Sequence, residues 1–242
     1  MDLLKPLKSA VRFNTTSDGV KLVSFKIPEN KAGELNLQIR KEDEDYSYRY
    51  YIELKNKFNK LLGYEHYSYF KDSENITGLY IKVEPEYRQR NYYFGEIIRL
   101  ASIIEMLENK VKNFIITSKE TAINFHSKYK FRPAVTSFDS RDKLLQNIAA
   151  DKGREFYDLS QKALELIEKI KNHKLYGLHI RDLNDEINNL FYNYIQRAQT
   201  VKNPQQHQLK WVLDMKLTEE EIRKNKDFFN NLFNKHGIDY RI

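Results

Sequence analysis

The sequence predicts a mixed α/β (α+β) protein: a mostly antiparallel central sheet with flanking helices, plus an extra helical segment. Three observations carry that expectation. Short runs rich in aromatic and β-branched residues crowd the first third of the chain, separated by polar or glycine-containing breaks. At Phe94 the apolar spacing changes from two to three and four. Between residues 140 and 200 the pattern is helical over two long stretches. The chain has 242 residues, 40% of them hydrophobic and 13% aromatic, enough for a real core and against disorder over the whole length.

The elements follow in order. "VKLVSFKI" at 20–27, "ELNLQIR" at 34–40 and "YSYRYYIEL" at 46–54 read as strands. "KLLGYEHYSYF" at 60–70 and "NITGLYIKV" at 75–83 read as two more, joined through "KDSE" as a hairpin. Ile97, Leu100, Ile104 and Leu107 then form the stripe of a helix. "VKNFIITS" at 111–118 returns to a buried-strand pattern, and Ala122, Phe125 and Tyr129 share one face of a helix over 119–130. "FRPAVTSF" reads as extended. Residues 140–171 and 182–199 are helical by period. "QLKWVLDMKL" alternates as a strand with one buried face, and "TEEE" at 218–221 is a capping box opening a last helix through Phe228, Phe229, Leu232 and Phe233.

Residues 81–107, "IKVEPEYRQRNYYFGEIIRLASIIEML", run from strand through a short basic loop into a helix, the frame of a turn that cradles phosphate on backbone N–H groups. With "GLYIKVEPEYRQRNYYFGEIIRL", "VKNFIITS" and "AINFHSKYKFRP" in this order, residues 60–133 resemble the GNAT-type N-acetyltransferase superfamily. "WVLDMKL" looks like that family's last strand. The resemblance implies a core over 1–138, with the cofactor loop at 84–95, a helix at 94–109, the strand 111–118 and the helix 119–130. A helical insertion over 139–206, a final core strand over 207–217 and a C-terminal helix over 218–242 complete the expected organisation.

The resemblance also implies acetyl-CoA, or another acyl-CoA, as cosubstrate. Ile81 and Val83 would meet pantetheine through backbone atoms, as an added strand does. Arg88, Gln89, Arg90, Asn91, Tyr92, Tyr93, Phe94 and Gly95 would cradle the pyrophosphate at the helix N-terminus. The family pattern is Arg/Gln-x-x-Gly-x-Gly/Ala. Counted from Arg88, Asn91 and Tyr93 replace the two small residues; counted from Arg90, Gly95 fits the end and Tyr93 takes the middle glycine. The Arg88 register keeps Pro-Glu-Tyr-Arg in place and puts Ile97, Leu100 and Ile104 at apolar helix positions. His126 matches the family's catalytic Tyr and would protonate the departing thiolate. Tyr129 is the nearest phenol, at a position that is apolar in the family.

The expected activity is acyl transfer to a primary amine of unknown identity, small molecule or protein. Two rivals stand beside it: an idle GNAT-like fold serving as a binding or scaffold module, and a nucleic-acid-binding protein. In the second rival, "YSYRYY" would stack on bases, where an edge strand is the plainer reading. The helical segment 140–200 would offer a surface for a protein partner or for self-association. The net charge of +7, from 41 Lys and Arg against 34 Asp and Glu, has no basic block and suits a phosphate-bearing ligand better than a nucleic-acid arm. The absence of cysteine excludes disulfides and thiolate chemistry. No ligand spacing among the histidines suggests a metal. No apolar run reaches 18 residues, so no membrane span and a cytoplasmic location are the expectation.

Overall fold

The structure, a computed structural model, is described for residues 12–26, 33–88, 92–135, 138–175 and 183–242. It has the mixed architecture expected, a mostly antiparallel sheet flanked by helices with an added helical segment. The chain divides into two compact units, Met1–Ile115 with Thr218–Ile242, and Ile116–Leu217.

In the first unit six strands form an antiparallel meander, each paired with the next: β1 Arg12–Thr15, β2 Lys21–Lys26, β3 Glu34–Asp43, β4 Ser47–Asn56, β5 Leu61–Phe70 and β6 Asn75–Val83. Alternation buries Leu35, Leu37 and Ile39 of β3 and Tyr50, Ile52 and Leu54 of β4 on one face. Helix α1, Phe94–Glu108, packs against β4, β5 and β6 and buries Ile97, Ile98, Leu100, Ile103 and Ile104. Strand β7, Asn113–Ser118, starts beside β6: Asn113 N donates to Glu74 O at 3.0 Å and Asn113 Nδ2 to Asn75 Oδ1 at 2.9 Å.

Two expectations in this unit are corrected. Strand β4, read as an edge strand from "YSYRYY", lies between β3 and β5 and pairs along both sides. Its tyrosines reflect cross-strand packing, as in the stacked Tyr50–Tyr67 pair, with ring centroids 4.8 Å apart. The C-terminal helix is two helices, α6 Glu219–Lys224 and α7 Lys226–Lys235. Asn225 separates them: its Nδ2 donates to Glu221 O at 2.8 Å, a side-chain bond that competes with the helical ladder. Thr218 caps α6 as expected, its Oγ1 accepting from Glu221 N at 3.0 Å.

The second unit is mainly helical: α2 Ile123–Lys128, α3 Phe138–Ala149, α4 Tyr157–Leu175 and α5 Asn184–Thr200. Strand β9, Leu213–Thr218, pairs antiparallel with the short β8, Arg132–Pro133. The alternating run 209–217 becomes strand only from Leu213, because Lys210 N donates to Asn147 Oδ1 at 3.0 Å instead of to a neighbouring strand. The expected helix over 119–130 is a 3-10 turn, Glu120–Ala122, followed by α2.

The helix expected over 140–171 is broken between α3 and α4. Asp151 makes the break: its carboxylate accepts from Gly153 N at 2.7 Å and Tyr194 Oη at 2.5 Å, and lies 2.7 Å from His207 Nδ1. Gly153 is required here, since a Cβ would meet His207 Cε1 at 2.6 Å. Burial raises the Asp151 pKa, but the bonds from His207, Tyr194 and Gly153 outweigh it and the net shift is downward. A depressed carboxylate contributes stability that is present above its unfolded value, about 3.9, and lost as pH falls through the folded one. The melting temperature of the full chain should therefore drop below about pH 4, and less steeply in Asp151→Asn. Equal slopes in circular-dichroism melts of both proteins would contradict this.

Candidate functional site

The site is built within the first unit, from the end of β6 to the first turn of α1. Strand β6 carries a bulge against β5: Tyr67 pairs with Gly78 and His66 with Tyr80, leaving Leu79 without an opposite residue. A bulge re-aims side chains and interrupts the ladder. Here it coincides with Leu79 and Tyr80, both about half exposed at 50% and 51%. On the sheet face away from α1, Tyr80 meets His66 at 4.7 Å and Tyr64 at 5.5 Å between ring centroids, and His66 meets Tyr51 at 4.6 Å. Burial among these rings lowers the His66 pKa and favours the neutral imidazole.

After Val83 the chain turns sharply. Glu84 N donates to Leu62 O at 3.0 Å, and Pro85 opens a 3-10 turn over Pro85–Tyr87, where its fixed φ costs no donor. Arg88 Nε reaches back to Val83 O at 2.8 Å, tying the loop to the strand end. Tyr87, Tyr92 and Phe94 cluster at 5.1–5.8 Å between centroids. Phe94 is core, Tyr92 and Gly95 are half-buried, and Ile81 and Val83 are half-buried on β6. Gln89, Arg90 and Asn91 lie outside the described residues.

Tyr93 is the N-cap of α1, with φ 56° and ψ 24°, the left-handed region. For an L-residue this costs about 1–2 kcal/mol, which is why glycine usually takes such positions. Tyr93 is 42% exposed, and its ring meets the end of α7: Lys235 Nζ stands 3.7 Å over the ring centroid, and the His236 ring is 5.8 Å away. Lys235, the last residue of α7, and His236, its C-cap, converge on Glu96, the third residue of α1, which is buried. Lys235 Nζ lies 3.0 Å and His236 Nε2 2.5 Å from Glu96 Oε1.

Tyr93, the N-cap residue of α1, makes no side-chain capping hydrogen bond. A helix start offers backbone N–H groups without intrahelical partners and a partial charge of roughly +0.5, which together favour an anion. The residues present fit a diphosphate-bearing cofactor in two respects. The Tyr93 ring is engaged by Lys235 and His236, and the strand leading to the loop is exposed at its bulge. Lys235, His236 and Glu96 had not been singled out from the sequence. Glu96 and His236 stand 140 positions apart, and no local pattern relates them.

The two expected catalytic residues lie in the second unit, and both are buried. His126 is 4% exposed, its ring edge-on to Phe125 at 5.1 Å and to Phe131 at 5.8 Å. Tyr129 is 1% exposed, against Phe125 at 5.0 Å. Among the described residues no group of three or more His, Asp or Glu side chains is placed to hold a metal, and no helix is long and apolar enough to cross a membrane.

No protein-family model and no curated protein sequence matches the chain. Among solved structures it is similar to GNAT-family acetyltransferases. An acetyltransferase of the GNAT family from Staphylococcus aureus Mu50 shares 16% identity and a TM-score of 0.32 over 36% of this chain and 55% of that one. The PaiA N-acetyltransferase from Thermoplasma acidophilum, solved in complex with coenzyme A, shares 15% identity and a TM-score of 0.31 over 36% and 54%. An acetyltransferase from Bacillus cereus shares 16% identity and a TM-score of 0.35 over 40% and 69%. The chain thus spans little more than half the length of the first two.

Proposed function

We propose that this protein binds an acyl-coenzyme A at the β6–α1 turn and is an N-acyltransferase, with acetyl the simplest acyl group and a primary amine the acceptor. The observation that supports this best is Tyr93. It stands where the loop pattern calls for a small residue, adopts the left-handed backbone such a residue would, and has its ring engaged by Lys235 and His236. The cofactor, when bound, supplies an activated thioester. The chain's own part is to bind and orient. Backbone N–H groups from Tyr93 onward would hold phosphate, and Arg88, anchored on Val83 O, fixes where β6 ends and the loop starts. The bulged stretch of β6, where Leu79 and Tyr80 are exposed, is where an extended pantetheine arm would lie along the main chain.

His126 is kept as the candidate proton donor to the departing thiolate, with Tyr129 the nearest phenol, and both are buried against aromatic rings. The same burial favours a second reading, a module that binds acyl-CoA without turning it over.

Calorimetry with acetyl-CoA and a free-thiol assay across a panel of primary amines separates the two. Binding with amine-dependent thiol release is expected for the transferase. Binding without release selects the idle module, and no heat at millimolar ligand removes both.

A further inference from the structure

We infer that Lys235 and His236, at the end of α7, are positioning residues that hold the Tyr93 ring away from the anion site at the start of α1, an inference that rests on the acyl-CoA reading. A side chain at a left-handed helix entry stands beside the backbone that must approach the phosphate. Tyr93 brings a whole phenol to that point. An unrestrained ring there would sweep across the first turn of α1, so the site works only if the ring is parked.

The parking arrangement is specific. Lys235 Nζ lies 3.7 Å above the ring centroid, within the range of a cation–π contact, and 3.0 Å from Glu96 Oε1. His236 flanks the same ring at 5.8 Å and lies 2.5 Å from the same carboxylate oxygen. Glu96 is buried and belongs to α1 itself, so the helix whose entry must stay clear also fixes the two residues that clear it. The His236 Nδ1 atom is buried without a hydrogen-bond partner among the described residues. Holding that ring still thus falls to Nε2 at Glu96 and to packing. A carboxylate buried this deeply needs such partners, and the two that it has are the residues that flank the Tyr93 ring.

The test is a double-mutant cycle read by calorimetry with coenzyme A on the full chain. Lys235→Ala should weaken binding about tenfold by releasing the ring. In the Tyr93→Gly background, where there is no ring to release, the same substitution should change affinity by less than about twofold. Lys235→Arg, which keeps the cation over the ring, should bind like wild type. An equal loss in both backgrounds would mean that Lys235 acts on the phosphate by its charge alone, and the inference would be overturned.

A ligand-free readout decides the point independently. The Tyr93 ring-proton shifts must change in Lys235→Ala without coenzyme A, and unchanged shifts also overturn it. Should wild type bind no coenzyme A, the acyl-CoA reading falls, while the ring shifts still report whether Lys235 holds Tyr93.

Discussion

Arg99→Met should lower the unfolding free energy by about 3–5 kcal/mol, a large fraction of the stability of a protein this size. Arg99 on α1 and Glu65 on β5 form an ion pair at 2.7 Å in which both side chains are 1% exposed. Arg99 also stands over the Phe114 ring, 5.0 Å from its centroid, so the pair sits inside the helix–sheet core. Burial raises the Glu65 pKa, opposed by the charge of Arg99 and by the neighbouring Ser102 hydroxyl. The net shift is upward, so the pairing does not fully offset the loss of water, and the bridge itself adds little. Removing one partner leaves the other charge buried alone.

The double variant Glu65→Leu/Arg99→Met should therefore recover most of the loss. In Arg99→Met the penalty should also shrink as pH falls toward the ordinary carboxylate range, because a carboxyl with a raised folded pKa destabilises only where the unfolded chain is ionised. Urea unfolding of the three proteins measures this, and an Arg99→Met midpoint close to that of wild type would refute it.

What could be read from the sequence, and what could not, follows from the range of the interactions involved. Strand β6 was expected at 75–83 and is found there, because alternation and β-branched residues are local signals. Helix α1 starts at Phe94, where the apolar period changes, and Thr218 caps α6 through a bond to a residue three positions on. The break at Asp151 is not legible locally, because two of the three groups that make it, Tyr194 and His207, are 43 and 56 positions away. The central place of β4 was missed for a related reason, since strand order is a property of pairing and not of the strand.

The loop shows the same division. Its frame was legible from strand, proline and helix, and the problem posed by Tyr93 could be stated from the residue alone. Its resolution could not, because it depends on Lys235, His236 and Glu96 meeting across most of the chain's length.

Gly63→Val should damage stability and ligand binding together, for a steric reason that Gly63→Ala isolates. Gly63 lies on β5 opposite Val83, beneath α1. A Cβ there would stand 2.8 Å from Lys82 O, 2.9 Å from Ile98 Cδ1 and 3.3 Å from Val83 Cα. Ile98 can turn aside, but a backbone carbonyl and a Cα cannot without moving the strand that carries them. Even alanine should cost about 1–3 kcal/mol, and valine, with two more methyl groups, should reach the upper end or beyond. The strand that must yield is the last part of β6, and Val83 O is the acceptor that anchors Arg88. A shift of this end therefore passes directly to the loop. Coenzyme A affinity should fall at least about tenfold in Gly63→Val at temperatures where the protein is still folded, since a misplacement of about 1 Å is enough to degrade a positioned site. Urea unfolding and calorimetry read the two effects separately. Lost stability with unchanged affinity would show that the loop does not take its position from the end of β6.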